Sequence, residues 1–297
     1  MAPDRGSSAP EVNALPGRVV RSVPPHAYFM VSAIFHYLGP SFAVLLFAHL
    51  GVLGVAWLRI ASAAVVFAAW RRPWWFFRGL ASRDRWILVA LGAVLGVMNS
   101  CFYLAIAKLP LATVGAIEFI GPIGLAVLGM RTRRNLLALL LAVAGVYLLT
   151  TVRLQGQLVG FLFAFANCAL FALYIVLAHR IAQQGPRAGI DGLGAAMLIA
   201  LVVVMPVGIV EAAPAFVSPL LLAAAIGVGL CSSVIPYVTD QLAMARLPRA
   251  TYALLLSLLP ATAVLIGLVV LHQVPSITDG AGVALVIAGV AVHRESG

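Results

Sequence analysis

Charge is what this sequence has least of. Asp, Glu, Lys and Arg make up 9% of its 297 residues, where a soluble domain carries about a quarter. A water-soluble fold needs more polar surface than that, so most of this chain must meet a solvent other than water. Acids are the scarcer sign, nine against nineteen basic residues. The sequence offers no paired-carboxylate arrangement and no HExxH, GxSxG or GxxxxGK[ST] motif, which argues against an enzyme and against an ATP-driven pump. No cofactor is expected. Cysteine is nearly missing too. Cys101, Cys168 and Cys231 stand at wide spacing without a CxxC or Cys/His pattern, so neither a disulfide framework nor a metal site is indicated.

What is present is apolar. Hydrophobic residues make up 63% of the chain and the mean hydropathy is +1.08. The net charge of +10 would suit nucleic acid if it covered one face of a domain. Instead the arginines fall in short stretches between apolar runs, so nucleic acid is not an expected partner and a lipid bilayer is. A span needs about 20 mostly apolar residues. Ten runs come near that length: 27–49, 52–70, 86–107, 110–130, 134–151, 157–179, 193–211, 217–245, 249–271 and 277–293. Residues 1–25 are rich in Pro, Ser and Arg and read as a disordered tail. Pro236 inside the eighth run predicts a kink.

Orientation follows from the basic residues. With ten spans, one side holds Arg5, Arg18 and Arg21, the cluster Arg71, Arg72, Arg78, Arg83 and Arg85, and then Arg131, Arg133 and Arg134. Arg180, Arg187, Arg246, Arg249 and Arg294 fall on the same side. The other side holds only Lys108 and Arg153. This predicts a multi-pass protein of the cytoplasmic membrane with both termini cytoplasmic. Trp70, Trp74, Trp75 and Trp86 flank the most basic loop, as interfacial anchors do.

A corner recurs along the chain. Lys108-Leu109-Pro110 is followed by Pro122, and Arg246-Leu247-Pro248 is followed at the same spacing by Pro260. Five spans per copy is an odd number, so the copies would lie in opposite orientations. The expected fold is therefore an all-α integral membrane protein of ten transmembrane helices in two inverted five-helix repeats, residues 26–151 and 157–297. Inverted repeats around a midplane site belong to secondary transporters that work by alternating access.

Polar groups inside spans are costly and usually face a cavity or a partner. Arg59, Asn99 and Glu118 lie at similar depth in their runs. They read either as the polar floor of a substrate cavity for an amphoteric solute, or as a buried Arg59–Glu118 pair that fixes helix packing. His36, Tyr103, Asn167, Tyr174, Tyr237, Asp240 and Tyr252 are further wall candidates, each with packing or interfacial solvation as the alternative. Pro110 and Pro248 are expected to start helices, and Pro122 and Pro260 to fall mid-helix and free carbonyls. Glu211, His272 and Asp279 fall at span ends and read as solvated. Gly92 and Gly96 form a GxxxG read as tight packing within the bundle. A passive channel, or a membrane-embedded enzyme on a lipid-linked substrate, is the competing class; oligomeric state is left open.

Several of these stretches resemble the EamA family of the drug/metabolite transporter superfamily, most closely its threonine- and homoserine-exporting branch. They are Trp57-Leu58-Arg59, Gly96-Val97-Met98-Asn99, Phe102-Tyr103-Leu104, Leu109-Pro110-Leu111 and Glu118-Phe119-x-Gly121-Pro122. Pro236-Tyr237, Asp240 and Arg246-Leu247-Pro248 add to them. The resemblance implies ten helices, two inverted repeats, and an exporter of amino acids or related small metabolites that exchanges them for protons. One position departs: that branch has an acid just before the second corner's last proline, where this chain has Leu259.

Overall fold

The computed structural model describes residues 24–129, 132–151, 154–184, 188–244, 246–247, 255 and 258–292. Among these there is no strand, and each of the ten apolar runs is helical at least in part. The helices are α1 Pro25–Leu46, α2 Val52–Arg71, α3 Trp74–Gly79, α4 Ser82–Ile106, α5 Leu111–Glu118, α6 Ile120–Gly129 and α7 Arg133–Thr151. They continue with α8 Leu154–Ala182, α9 Ala188–Val217, α10 Pro219–Gly229, a π-turn Leu230–Val234, α11 Ile235–Met244, α12 Leu259–Leu271 and α13 Ile277–Val292. Six pieces are long and apolar enough to cross a membrane: α1, α2, α4, α8, α9 and the rod from α10 into α11. The α5–α6 stretch, α12 and α13 are apolar but shorter.

The outward faces are as apolar as the core. Val65, Leu140, Val202, Val210 and Leu220 are all well exposed, a surface that suits hydrocarbon and not water. At one corner the chain is different. The short helix α3, which periodicity does not predict, exposes Trp74 and Trp75, and Trp70 and Trp86 are exposed beside it. The Arg71 and Arg78 guanidinium carbons lie 5.6 and 5.7 Å from the Trp70 and Trp75 ring centroids. Arginine over tryptophan at a helix end is the chemistry of a headgroup interface.

Small residues set the helix contacts. A Cβ at Gly92 would sit 2.5 Å from Ile199 Cβ, and one at Gly96 would sit 3.0 Å from Val204 Cγ1. The GxxxG therefore packs α4 on α9 within the bundle. On the far side α7 and α13 meet through Gly145 and Gly282, where a Cβ on Gly145 would lie 2.5 Å from the Gly282 carbonyl.

The long helix α9 holds α2 at both ends. Asp191 in its first turn meets Arg71 at 2.8 Å. Near its other end Glu211 Oε2 accepts from the N–H groups of Leu53 (2.8 Å) and Gly54 (3.3 Å), the first turn of α2. Glu211 is thus a cross-helix cap and not a solvated end. Asp279 departs from its expected place in the same way. It is 5% exposed and forms a capping box: Ser276 N–H donates to Asp279 Oδ2 (3.0 Å) and Asp279 N–H to Ser276 Oγ (3.1 Å). Helix ends leave orphan N–H groups, and in an apolar medium a carboxylate nearby is the available acceptor. His272 is exposed, in a left-handed conformation at φ 53°.

Candidate solute site in the helix bundle

Two proline-broken helices bring the polar residues together. The first break lies between α5 and α6. Pro122 has no N–H, so the carbonyl one helical turn earlier, that of Glu118, loses its regular donor. The helix stops at Glu118, turns at Phe119 and restarts at Ile120. Pro122 is therefore the third residue of α6 and not a mid-helix proline. Pro260 is likewise in the first turn of α12. Pro110 caps α5 from one position outside it. Pro248 and Tyr252 lie outside the described residues.

Glu118 ends α5 facing α8 and is 8% exposed. Its Oε1 accepts from Asn167 Nδ2 at 3.3 Å. Asn167 is 1% exposed, and its own Oδ1 has no partner among the described residues. Gly121 fixes the approach of α8, since a Cβ there would lie 2.9 Å from the Cys168 carbonyl. Tyr37 of α1 comes in from another side. A Cβ on Gly115, one turn before Glu118, would lie 2.9 Å from the Tyr37 hydroxyl oxygen. That hydroxyl is fully buried and unpartnered among the described residues. Beside the Glu118 carboxyl, which accepts from Asn167, stand an amide oxygen and a hydroxyl that have no partner among the described residues. Unsatisfied buried polar groups are rare, because each costs a desolvation penalty. A cluster of them is suited to a positively charged group.

The second break lies at the π-turn. Pro236 follows Ser232 by four residues, so it cannot supply the N–H that a regular helix would give the Ser232 carbonyl. Arg59, 8% exposed, reaches this place from α2. Its Nη2 donates to the Ser232 carbonyl at 3.1 Å and its Nε to Ser233 Oγ at 3.0 Å. The guanidinium carbon lies 5.4 Å from the Tyr103 ring centroid. Tyr103 is fully buried and its hydroxyl is also unpartnered among the described residues. The buried Arg59–Glu118 ion pair of the alternative reading is not formed, whereas Arg71 and Asp191 do form one. Similar depth is what pairs Arg59 with Glu118 in the sequence, whereas in the fold the guanidinium donates to the Ser232 carbonyl and the Ser233 hydroxyl.

The other candidates divide. Asn99 is buried but turns its amide onto the Leu95 carbonyl of its own helix at 2.8 Å. His36 is half-buried, edge-on to Tyr37 with ring centroids 5.2 Å apart. Tyr174 stacks on Phe171, 6.2 Å between centroids, and it and Tyr237 pack against the Phe67–Leu88–Met197 core. Tyr37 and Tyr103 belong to the other core, with Trp57 and Ile117. Asp240 sits on α11, and its side chain is outside the described set. Sequence reasoning misses Ser232 and Ser233, although Pro236 four residues on is a usable signal. Tyr37, next to His36 in the chain, is missed as well. At the opposite end of α5 a recess lies between Pro110, Thr113, Gly267 and Gln273. There Gln273 Oε1 accepts from the Leu111 N–H at 3.1 Å.

Comparison with known proteins gives a consistent result. Residues 158–293 match the EamA-like transporter family. The threonine/homoserine exporter RhtA of Salmonella typhimurium (strain SL1344) is 33% identical over 242 residues, covering 79% of each chain. The Escherichia coli (strain K12) protein of that name is 32% identical over the same share. One solved crystal structure is similar over 90% of this chain and 96% of that one, at 20% identity and a TM-score of 0.56, a likeness of fold. On the extent and identity of these matches, the chain belongs to the EamA-like transporter family.

Proposed function

We propose that this protein is a secondary transporter that exports small amphoteric metabolites, threonine- and homoserine-like amino acids, across the cytoplasmic membrane by alternating access in exchange for protons. Ten spans in two inverted repeats, 26–151 and 157–297, with both termini cytoplasmic, complete the proposal. Support for the substrate class comes from the relatives, which are threonine/homoserine exporters. Support for the site comes from one observation above the rest: Glu118, at a helix break, is buried beside an amide oxygen that has no partner among the described residues.

Its mechanism follows from that geometry. A carboxylate buried among apolar helices and not held in an ion pair is held as the acid or meets a positive group. Glu118 can therefore exchange a proton for the ammonium group of a solute, with Asn167 Oδ1 and the Tyr37 hydroxyl as further acceptors. Taking one cation at a time is what couples the two fluxes. His36, Asn99, Tyr103, Tyr174, Tyr237 and Asp240 are proposed as walls of the path, and Pro110, Pro122, Pro248 and Pro260 as its hinges.

Ligand-dependent stability tests the binding step. A solute that binds the folded state raises the unfolding temperature by mass action. Purified protein should be stabilised by threonine and homoserine, and folded Glu118→Gln should lose that response. A wild-type protein indifferent to every amino acid tried would overturn the substrate class.

A further inference from the structure

A buried cation suits a carboxylate, which makes Arg59 look like a solute-binding residue. Its surroundings give it a different role. We propose that Arg59 is a positioning residue: it supplies the donor that Pro236 lacks and so holds the π-turn Leu230–Val234 in its bent register, without touching the solute.

Four observations carry this. The first is the identity of the acceptor. Ser232 is the residue whose carbonyl a proline at 236 deprives of its helical donor, and Arg59 Nη2 donates to that carbonyl at 3.1 Å. The second is the edge used. Nε and Nη2 form the side-on fork with which arginine grips a carboxylate, and both are engaged at this turn, Nε with Ser233 Oγ at 3.0 Å. The third is the packing of the turn. A Cβ on Gly39 would lie 2.7 Å from Ser232 Cα, and one on Gly229 would lie 2.9 Å from the Arg59 carbonyl oxygen. The turn is thus clamped between the backbones of α1 and α2. Ser32 Oγ of α1 adds a bond to the Pro236 carbonyl at 3.2 Å. The fourth is the π-turn itself. A widened turn before a proline leaves carbonyls without regular donors, and such turns gather at functional places in helices. In a membrane those carbonyls need a partner from another helix.

The role predicts a rescue that a ligand role does not. Arg59→Gln removes both Nε and Nη2 and leaves a side chain too short for its amide to take the place of Nη2 at the Ser232 carbonyl. Pro236→Ala gives position 236 its own N–H, so the helix can close without help. Thermal unfolding and threonine flux are measured for Arg59→Gln, Pro236→Ala and the double variant. Unfolding does not depend on the exporter proposal, so the positioning role can fail or hold independently of it. Arg59→Gln should unfold at a lower temperature than wild type, and its maximal flux should fall about tenfold with KM within about twofold. The double variant should recover most of both losses. If Arg59→Gln cannot be purified folded, the same prediction is read from whether the double variant can be. A double variant no better than Arg59→Gln would overturn the proposal. So would a KM raised about tenfold or more in folded Arg59→Gln, with Vmax kept, since loss of ground-state binding is what removing a solute ligand does.

Discussion

Asn167 donates one hydrogen bond to Glu118 at 3.3 Å and leaves its own amide oxygen buried without a partner among the described residues. The two residues come from α8 and α5, and their contact joins the broken helix to its neighbour. Asn167→Ala should lower stability by about 1–3 kcal/mol, the cost of a buried polar group losing its partner. It should also weaken threonine binding, which thermal shift with and without solute would separate from the loss of stability. An Asn167→Ala protein with unchanged stability and unchanged ligand response would show that the contact is incidental.

Glu211 is a second place where one side chain carries more than its position suggests. Its carboxylate accepts from two N–H groups at the start of α2. Glu211→Ala should cost about 0.5–2 kcal/mol, the range for losing a helix cap. The KM for solute should stay at the wild-type value, because Glu211 holds the first turn of α2 and makes no bond at Glu118 or at the π-turn. Calorimetric or fluorescence unfolding in micelles measures the first, and flux the second.

The pair at the opposite end of α2 should matter less. Arg71 and Asp191 meet at 2.8 Å but keep side-chain exposures of 22% and 18%. Asp191→Asn should cost about 0–1 kcal/mol, and less as salt is added. A loss larger than that of Glu211→Ala would reverse the order of the two contacts.

Gly145 tests the α7–α13 seam. A Cβ there would lie 2.5 Å from the Gly282 carbonyl, backbone that cannot turn aside. Gly145→Val should destabilise by about 1–3 kcal/mol through overpacking. Gly124→Val, where a Cβ meets nothing within 4 Å, is the matched control and should be close to neutral.

Much of this architecture is legible in the sequence, and the residues show why. Apolar runs of the right length mark the helices, and Gly92 and Gly96 mark a packed face, because hydrophobicity and small size are local properties. The position of each polar residue along its helix is equally readable. Its partner is not. Depth alone matches Arg59 to Glu118, while the structure gives it Ser232 and Ser233. Glu211 and Asp279 read as solvated because they end their runs, yet the N–H groups they cap belong to helix starts that only folding or a turn brings near. Pro122 reads as part of a continuous helix, since the run 110–130 has the length of a single span. The break at Phe119 comes from the backbone, where the missing N–H of Pro122 leaves no donor for the carbonyl of Glu118.

Coupled flux through Glu118 decides between a proton-exchanging carrier and the alternatives. Proteoliposomes with an acidic interior are supplied with labelled threonine outside, and uptake is followed as protons leave. Wild-type protein should accumulate threonine inside above its external concentration, the accumulation should collapse when a protonophore is added, and folded Glu118→Gln should show none. Downhill movement that ignores the pH gradient, or wild-type accumulation by Glu118→Gln, would contradict it.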